Sequence, residues 1–253
     1  MKSQWLSTVA WVASLAVSLA LAATAGSQSP AADDLATRLI AEARASFSRV
    51  QDYTGTLVKQ ERIGSQLQPE QFIDFRIRQS PYSVHLKWTS PRQFVGQEAF
   101  FVAGKNNNEM RAKGTGLAAL AGFVSLPPTD PRAMRQSRHA ITETGIGHLI
   151  ETVARAWEIE RRAPSRTVRI SFADYAFQQR PCTRMEAVSL VNNNQFYSYR
   201  IVLYVDKEMK LPVRFEAYDW PVAGGNPNGE LLECYSYINL KFNVGLTDAA
   251  FGY

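Results

Sequence analysis

Two of the three histidines have a glutamate at helical distance: His139 precedes Glu143 by four residues, and His148 precedes Glu151 by three. Either pair could share one helix face and offer an imidazole and a carboxylate to a metal ion. The Thr144-Gly145 junction separates the pairs, so a joint site needs the chain to fold back there. The plainer interpretation is a set of polar residues at the surface or near a helix cap. Tyr218, Asp219 and Trp220, ahead of Pro221, place a carboxylate between two aromatics, a combination suited to a sugar or a cation. A strand end with a turn-stabilising Asp gives the same sequence. There is no G-x-S-x-G elbow, no H-E-x-x-H and no P-loop. The G-x-G at Gly114 and Gly116 and that at Gly145 and Gly147 lack the rest of a dinucleotide fingerprint and suit turns. We therefore expect no enzyme, no catalytic residue, no metal and no cofactor.

Apolar residues carry a stronger signal. Leu117, Leu120, Phe123, Val124 and Leu126 lie between Gly116 and Pro127-Pro128, outside any regular strand or long helix pattern. Large exposed apolar patches are rare on soluble monomers, so this segment must cover something. It either fills an ordinary core or closes an apolar cavity as a lid. The sheet residues Phe75, Leu86, Trp88 and Phe100 would line such a cavity. The candidate ligand-binding set is thus Phe75, Leu86, Trp88, Phe100, Leu117, Leu120, Phe123 and Leu126.

The surrounding elements follow from periodicity. Leu35, Leu39, Ala43 and Phe47 recur at spacing four after a capping Asp33 and predict a helix to about Val50. Period-two alternation then begins. In 72–79, Ile73, Phe75 and Ile77 alternate with Asp74, Arg76 and Arg78; in 82–89, Val84, Leu86 and Trp88 alternate with Ser83, His85 and Lys87. Such alternation means one buried and one wet face. Strands are also expected over 53–63, 97–103, 109–113, 167–172, 182–191, 196–205, 211–220 and 231–240. Asp130-Pro131 opens a central helix, and 144–160 forms a longer one that Pro164 stops. The expected class is α+β: a large curved antiparallel sheet, with an N-terminal helix and central helices on its concave face.

The chain begins with Lys2, an uncharged apolar run from Leu6 to Leu21, and the small-x-small triplet Ala23-Thr24-Ala25. This order predicts a secretory leader (1–25) cut after Ala25, a linker (26–32) and one domain (33–253) in the periplasm or outside the cell. An uncleaved leader would instead anchor the chain, since the run is about long enough to span a bilayer. Any other membrane contact is expected to be peripheral. Loss of Lys2 takes the net charge from +5 to +4. With no basic block, and with export, a nucleic-acid partner is excluded. Cys182 and Cys234 would pair in an oxidising compartment only if their strands are neighbours; otherwise they are buried thiols.

"LPVRFEAYDWP" at 211–221 and "LLECYSYINLKFNVGLTDAAF" at 231–251 resemble the bacterial domain-of-unknown-function family numbered 1571. "AMRQSRHAITETGIGHLIE" at 133–151 resembles its central segment and "YTGTLVKQER" at 53–62 its first strand. The resemblance covers about residues 35 to 251. Cys234 stands where a second acidic residue would follow Glu233, which weakens any carried-over bridge to Cys182. That family is similar in pattern to the LolA/LolB-like periplasmic lipoprotein carriers. The resemblance implies an unclosed half-barrel, with central helices and loops over an apolar cavity that holds acyl chains. The expected function is non-covalent binding of a lipid or lipoprotein acyl chain under a lid near 117–126. The alternatives are an envelope scaffold, meeting a protein through His85, Lys87, Arg76 and Arg78, and a metal-dependent enzyme using the His/Glu pairs.

Overall fold

The computed structural model describes residues 30–162 and 167–252; the expected leader lies outside the described residues. Helix α1 spans Pro30–Phe47. The first half of the sheet follows: β1 (Asp52–Ile63), β2 (Gln66–Leu67), β3 (Gln71–Arg78), β4 (Ser83–Ser90), β5 (Glu98–Val102), β6 (Met110–Lys113) and β7 (Val124–Leu126). Helices α2 (Pro131–Met134) and α3 (Ile146–Arg161) form the middle. The second half contains β8 (Val168–Phe177), β9 (Arg180–Ser189), β10 (Arg200–Asp206), β11 (Pro212–Tyr218) and β12 (Leu231–Phe242).

The strands build one antiparallel sheet in the order β7-β6-β5-β4-β3-β1-β12-β11-β10-β9-β8, with β2 paired to β1 outside this path. The sheet does not close, because β7 and β8 are its two edges. It is the expected α+β architecture. Each half is a meander of neighbours in sequence, and the halves join where β1 pairs with β12, for example Leu57 with Tyr237. Alternation decides the faces. Ile73, Phe75 and Ile77 of β3 are buried while Asp74 and Arg76 are exposed. The inner faces of both halves contribute to one core, with Val84, Ile201, Leu203, Phe215 and Ala217 among its members. A smaller cluster of Cys182, Val202, Tyr204 and Val213 lies on the outer face. There, Glu186 bridges Arg184 and Arg200, and Arg214 pairs with Glu216.

The helices cover the inner face. Ala36, Leu39, Ile40 and Ala43 of α1 are buried, whereas Leu35 is turned outward. The Trp157 indole of α3 donates to Thr37 Oγ1 of α1 at 3.0 Å, and Arg44 pairs with Glu151 at 2.6 Å. Asp130 caps α2 through the Arg132 backbone N–H at 2.8 Å, as its sequence predicts. Gly145 turns the chain into α3 with φ +109°, and the Ile146 N–H donates to the buried Tyr53 hydroxyl at 2.9 Å. A Cβ at Gly145 would collide with that hydroxyl and with Ile77. Glycine is therefore required both by conformation and by space.

Several expectations change. His85 is buried rather than wet, because the Phe100 ring stacks on it at 4.1 Å. The 117–126 segment is ordered as a 3-10 turn at Gly116–Ala121 followed by β7. Cys182 and Cys234 are both buried free thiols. They sit on β9 and β12, which β10 and β11 separate, too far for a bridge. No helix among the described residues is long and apolar enough to cross a membrane.

Candidate functional site

A cavity of about 980 Å³ lies between the inner face of the sheet and the segment that includes α2, the 141–143 turn and α3. That volume is at the upper end of small-molecule sites, roughly 300–1,000 Å³. Leu57, Ile73, Leu86, Trp88, Met110 and Leu126 give it an apolar floor, and Ala133, Met134, Ile141, Leu149, Ala156 and Ile159 face them. Because β-strand side chains alternate, β1, β3 and β4 offer every second residue to this space. On α3 the contributors recur at helical spacing: His148, Thr152, Arg155 and Ile159.

One end of the cavity is polar. The inner face of β1 continues from Leu57 through Lys59 to Glu61, and that of β12 carries Glu233, Tyr235 and Tyr237. Glu233 is 0% and Glu61 2% exposed, so both carboxylates need partners. Glu61 accepts from Tyr235 Oη at 2.5 Å, from Lys59 Nζ at 3.1 Å and from the Arg138 backbone N–H at 3.1 Å. Glu233 accepts from the Tyr197 hydroxyl, from Arg138 Nε at 2.9 Å and from His139 Nε2 at 2.9 Å. Tyr235 Oη also lies 3.2 Å from Glu233. Lys59 further reaches Gln136 O and Ser137 Oγ at 3.4 and 3.3 Å. The cluster thus ties the 136–139 roof segment to the centre of the sheet.

Electrostatics within the cluster are mutual. Burial works against a charged His139, but the Glu233 hydrogen bond and the charges of Glu233, Glu61 and Glu143 outweigh it and hold its pKa above the usual value. Burial likewise pushes the Glu233 carboxyl up, and His139, Tyr197 and Arg138 outweigh it and bring it below the usual range. Both effects favour an ion pair. Burial and the nearby carboxylates push Tyr197 and Tyr235 well above the ordinary phenol value, so both stay protonated donors.

The structure distributes the sequence candidates unevenly. Leu86, Trp88 and Leu126 line the cavity. Phe75 is buried beneath it, edge-on to Tyr53 and Tyr237. Phe100 points to the outer face, where it packs on His85 and Phe123. Leu117 and Leu120 are 86% and 84% exposed, and of that turn only Gly114 before it and Ala118 within it line the cavity. Val124 and Leu126 complete the wall that this segment supplies, so the roof consists mainly of later residues.

The His/Glu pairs do not converge. His139 Nδ1 lies 3.4 Å from Glu143, but His148 packs on the Tyr82 ring and Glu151 turns to Arg44. Among the described residues no group of three His, Cys, Asp or Glu is placed to hold a metal ion. Asp219 accepts from the Trp220 N–H at 2.8 Å, and Tyr218 lies under Arg200 on the outer face.

Glu61, Glu233, Lys59, Arg138, Tyr197 and Tyr235 are functional candidates that sequence reasoning missed. A signal was present: Lys59 and Glu61 continue the apolar phase of Leu57, and Glu233 shares the phase of Tyr235 and Tyr237. Charges on the buried phase of a strand mark a site or an ion-pair network.

The model of a family described as "Protein of unknown function (DUF1571)" matches residues 50–253, and the chain belongs to that family. A sequence comparison with curated proteins returns no match. Among solved structures, the chain is similar to an uncharacterized conserved protein from Thermus thermophilus. That pair shares 11% identity over 87% of this chain and 93% of the other, with a TM-score of 0.49. It is similar to the lipoprotein LppX of Mycobacterium tuberculosis, with 10% identity over 85% and 98% and a TM-score of 0.49. It is also similar to LprF from Mycobacterium bovis, with 14% identity over 88% and 97% and a TM-score of 0.45.

Proposed function

We propose that this family member is an exported binding protein, active in the periplasm or outside the cell, that holds an apolar ligand non-covalently. The ligand is a lipid or the acyl chain of a lipoprotein, and the protein is not an enzyme. The observation that carries this proposal is the cavity of about 980 Å³, with an apolar body and a polar end. Burial of a methylene contributes about 0.8 kcal/mol, so a chain of about ten carbons supplies ~8 kcal/mol before association costs. That is sufficient for a specific but reversible carrier. The leader sequence supports export, and the place of Ala118, Val124 and Leu126 in the cavity wall supports a lid near 117–126.

The test is saturable binding of the neutral fluorophore N-phenyl-1-naphthylamine, with native mass spectrometry of the purified protein for co-purified lipid. Ala156→Trp, which fills the cavity, should abolish both signals while the fold persists by circular dichroism. Non-saturable fluorescence, or binding unchanged in that variant, overturns the proposal.

A second proposal, a protein-interaction module in the envelope, is favoured by the exposure of Leu117 and Leu120. Its signature is a stoichiometric protein partner recovered from envelope extract, with no lipid in the cavity.

A further inference from the structure

We infer that the cavity selects amphiphiles whose head group donates hydrogen bonds and carries no negative charge, a hydroxylated or amino head rather than a phosphate or carboxylate. The inference rests on the proposed function and adds the class of head group. Its basis is the direction of the protons at the polar end.

The charged and hydroxyl donors of that end are taken up by acceptors of the protein itself, chiefly the two buried carboxylates, with the roof backbone, Ser137 Oγ and Glu143 taking the rest. Tyr197 gives its proton to Glu233, and Tyr235 lies between Glu61 and Glu233. All three Lys59 protons have acceptors: Glu61, Gln136 O and Ser137 Oγ. Arg138 Nε and His139 Nε2 both point at Glu233. A phenol or carboxylate oxygen keeps lone pairs after accepting or donating once. Tyr197 and Tyr235 are half-buried residues that line the cavity, so what their hydroxyls keep on offer is acceptor capacity. Gln71, whose carbonyl takes the Trp88 indole proton at 2.7 Å, adds only an uncharged NH₂ donor.

A hydroxyl or ammonium head completes this arrangement. An anion would face oxygens and would have to pull Lys59 or Arg138 off carboxylates that are themselves buried, leaving an unpaired charge. Arg155, Arg132 and Lys113 also line the cavity, but Arg155 is exposed on α3, Arg132 pairs with Asp130 and Lys113 lies over the Phe123 ring. A head group held there would set hydrocarbon against the polar end and strip its oxygens of partners.

The experiment displaces bound N-phenyl-1-naphthylamine with two ligands that differ by one phosphate: 1-monopalmitoylglycerol and 1-palmitoyl-glycerol-3-phosphate. Monopalmitoylglycerol should compete at least about tenfold better. Tyr235→Phe should weaken it by about three- to tenfold and leave the phosphate ligand unchanged; if that variant does not fold, Tyr197→Phe takes its place. Equal or better competition by the phosphate ligand overturns the head-group assignment alone. Failure of the fluorophore to bind the unmodified protein overturns the cavity proposal and this inference with it.

Discussion

Buried charge sets the behaviour of this protein at the scale of the residue. His139 holds its proton more tightly when folded than when unfolded, so its ion pair with Glu233 stabilises fully below the ordinary histidine value, near 6.5. That contribution is lost as pH rises through the elevated folded value. His139→Gln should therefore cost about 1 kcal/mol at pH 5.5, with partial exposure of the imidazole limiting the magnitude, and less at pH 9. Urea melts at the two pH values measure the difference. Glu160 behaves oppositely. It is 5% exposed, and burial alone raises its pKa from 4.5 to about 7. The folded state thus binds a proton that the unfolded state has lost, and stability falls as pH rises from 4.5 to 7. Glu160→Gln should be near neutral at pH 4.5 and stabilise by about 3 kcal/mol at pH 8. A variant no more stable at pH 8 than at pH 4.5 contradicts that assignment. Neither effect is legible in the sequence. His139 is visible there as a partner for Glu143, but its stronger partner is 94 positions away, and only the fold supplies it.

Elements are legible where a period runs long enough to be read. The alternation in β3, the Asp130 cap and the α3 stripe all stand where local sequence places them, whereas in β4 Ser83 and His85 are buried along with the apolar phase. The misses are short or irregular. Strands β2 and β7 have two and three residues, too few to express a period. Phe196 and Tyr197 read as part of a strand because they are aromatic, yet β10 begins only at Arg200, and Tyr197 is free to turn into the cavity. Gly145 reads as a turn glycine; only packing shows that it is irreplaceable. Gly145→Ala should destabilise by about 2 kcal/mol or more, since it adds strain at positive φ and a clash with Tyr53 and Ile77. By contrast, Leu117→Ser and Leu120→Ser remove side chains already in water and should shift stability by less than about 0.5 kcal/mol. Thermal denaturation of the three variants separates the cases.

At the scale of the molecule, composition and pattern suffice for an open antiparallel sheet with helices on one face, but not for its strand order. A ligand seated between sheet and roof links the two layers, so occupancy should appear as global stability. At a free ligand concentration 100 times Kd the gain is about 2.7 kcal/mol, or roughly 5–10 °C in Tm for a domain of this size. Delipidation followed by calorimetry should reveal that drop, and readdition of monopalmitoylglycerol should reverse it. An unchanged Tm argues that the cavity is empty in the purified protein.

The seam where β1 meets β12 also governs how the fold is reached in time. Each meander can form from neighbours in sequence, but Leu57 must wait for Tyr237 before the two halves become one surface. Closing so long a loop is entropically slow and gives no return until most of the chain is in place. Lys59 and Glu61 are on one side of this seam and Glu233 and Tyr235 on the other. A nascent chain that ends before β12 therefore has no site, and carries two bare apolar faces that a chaperone would have to shield.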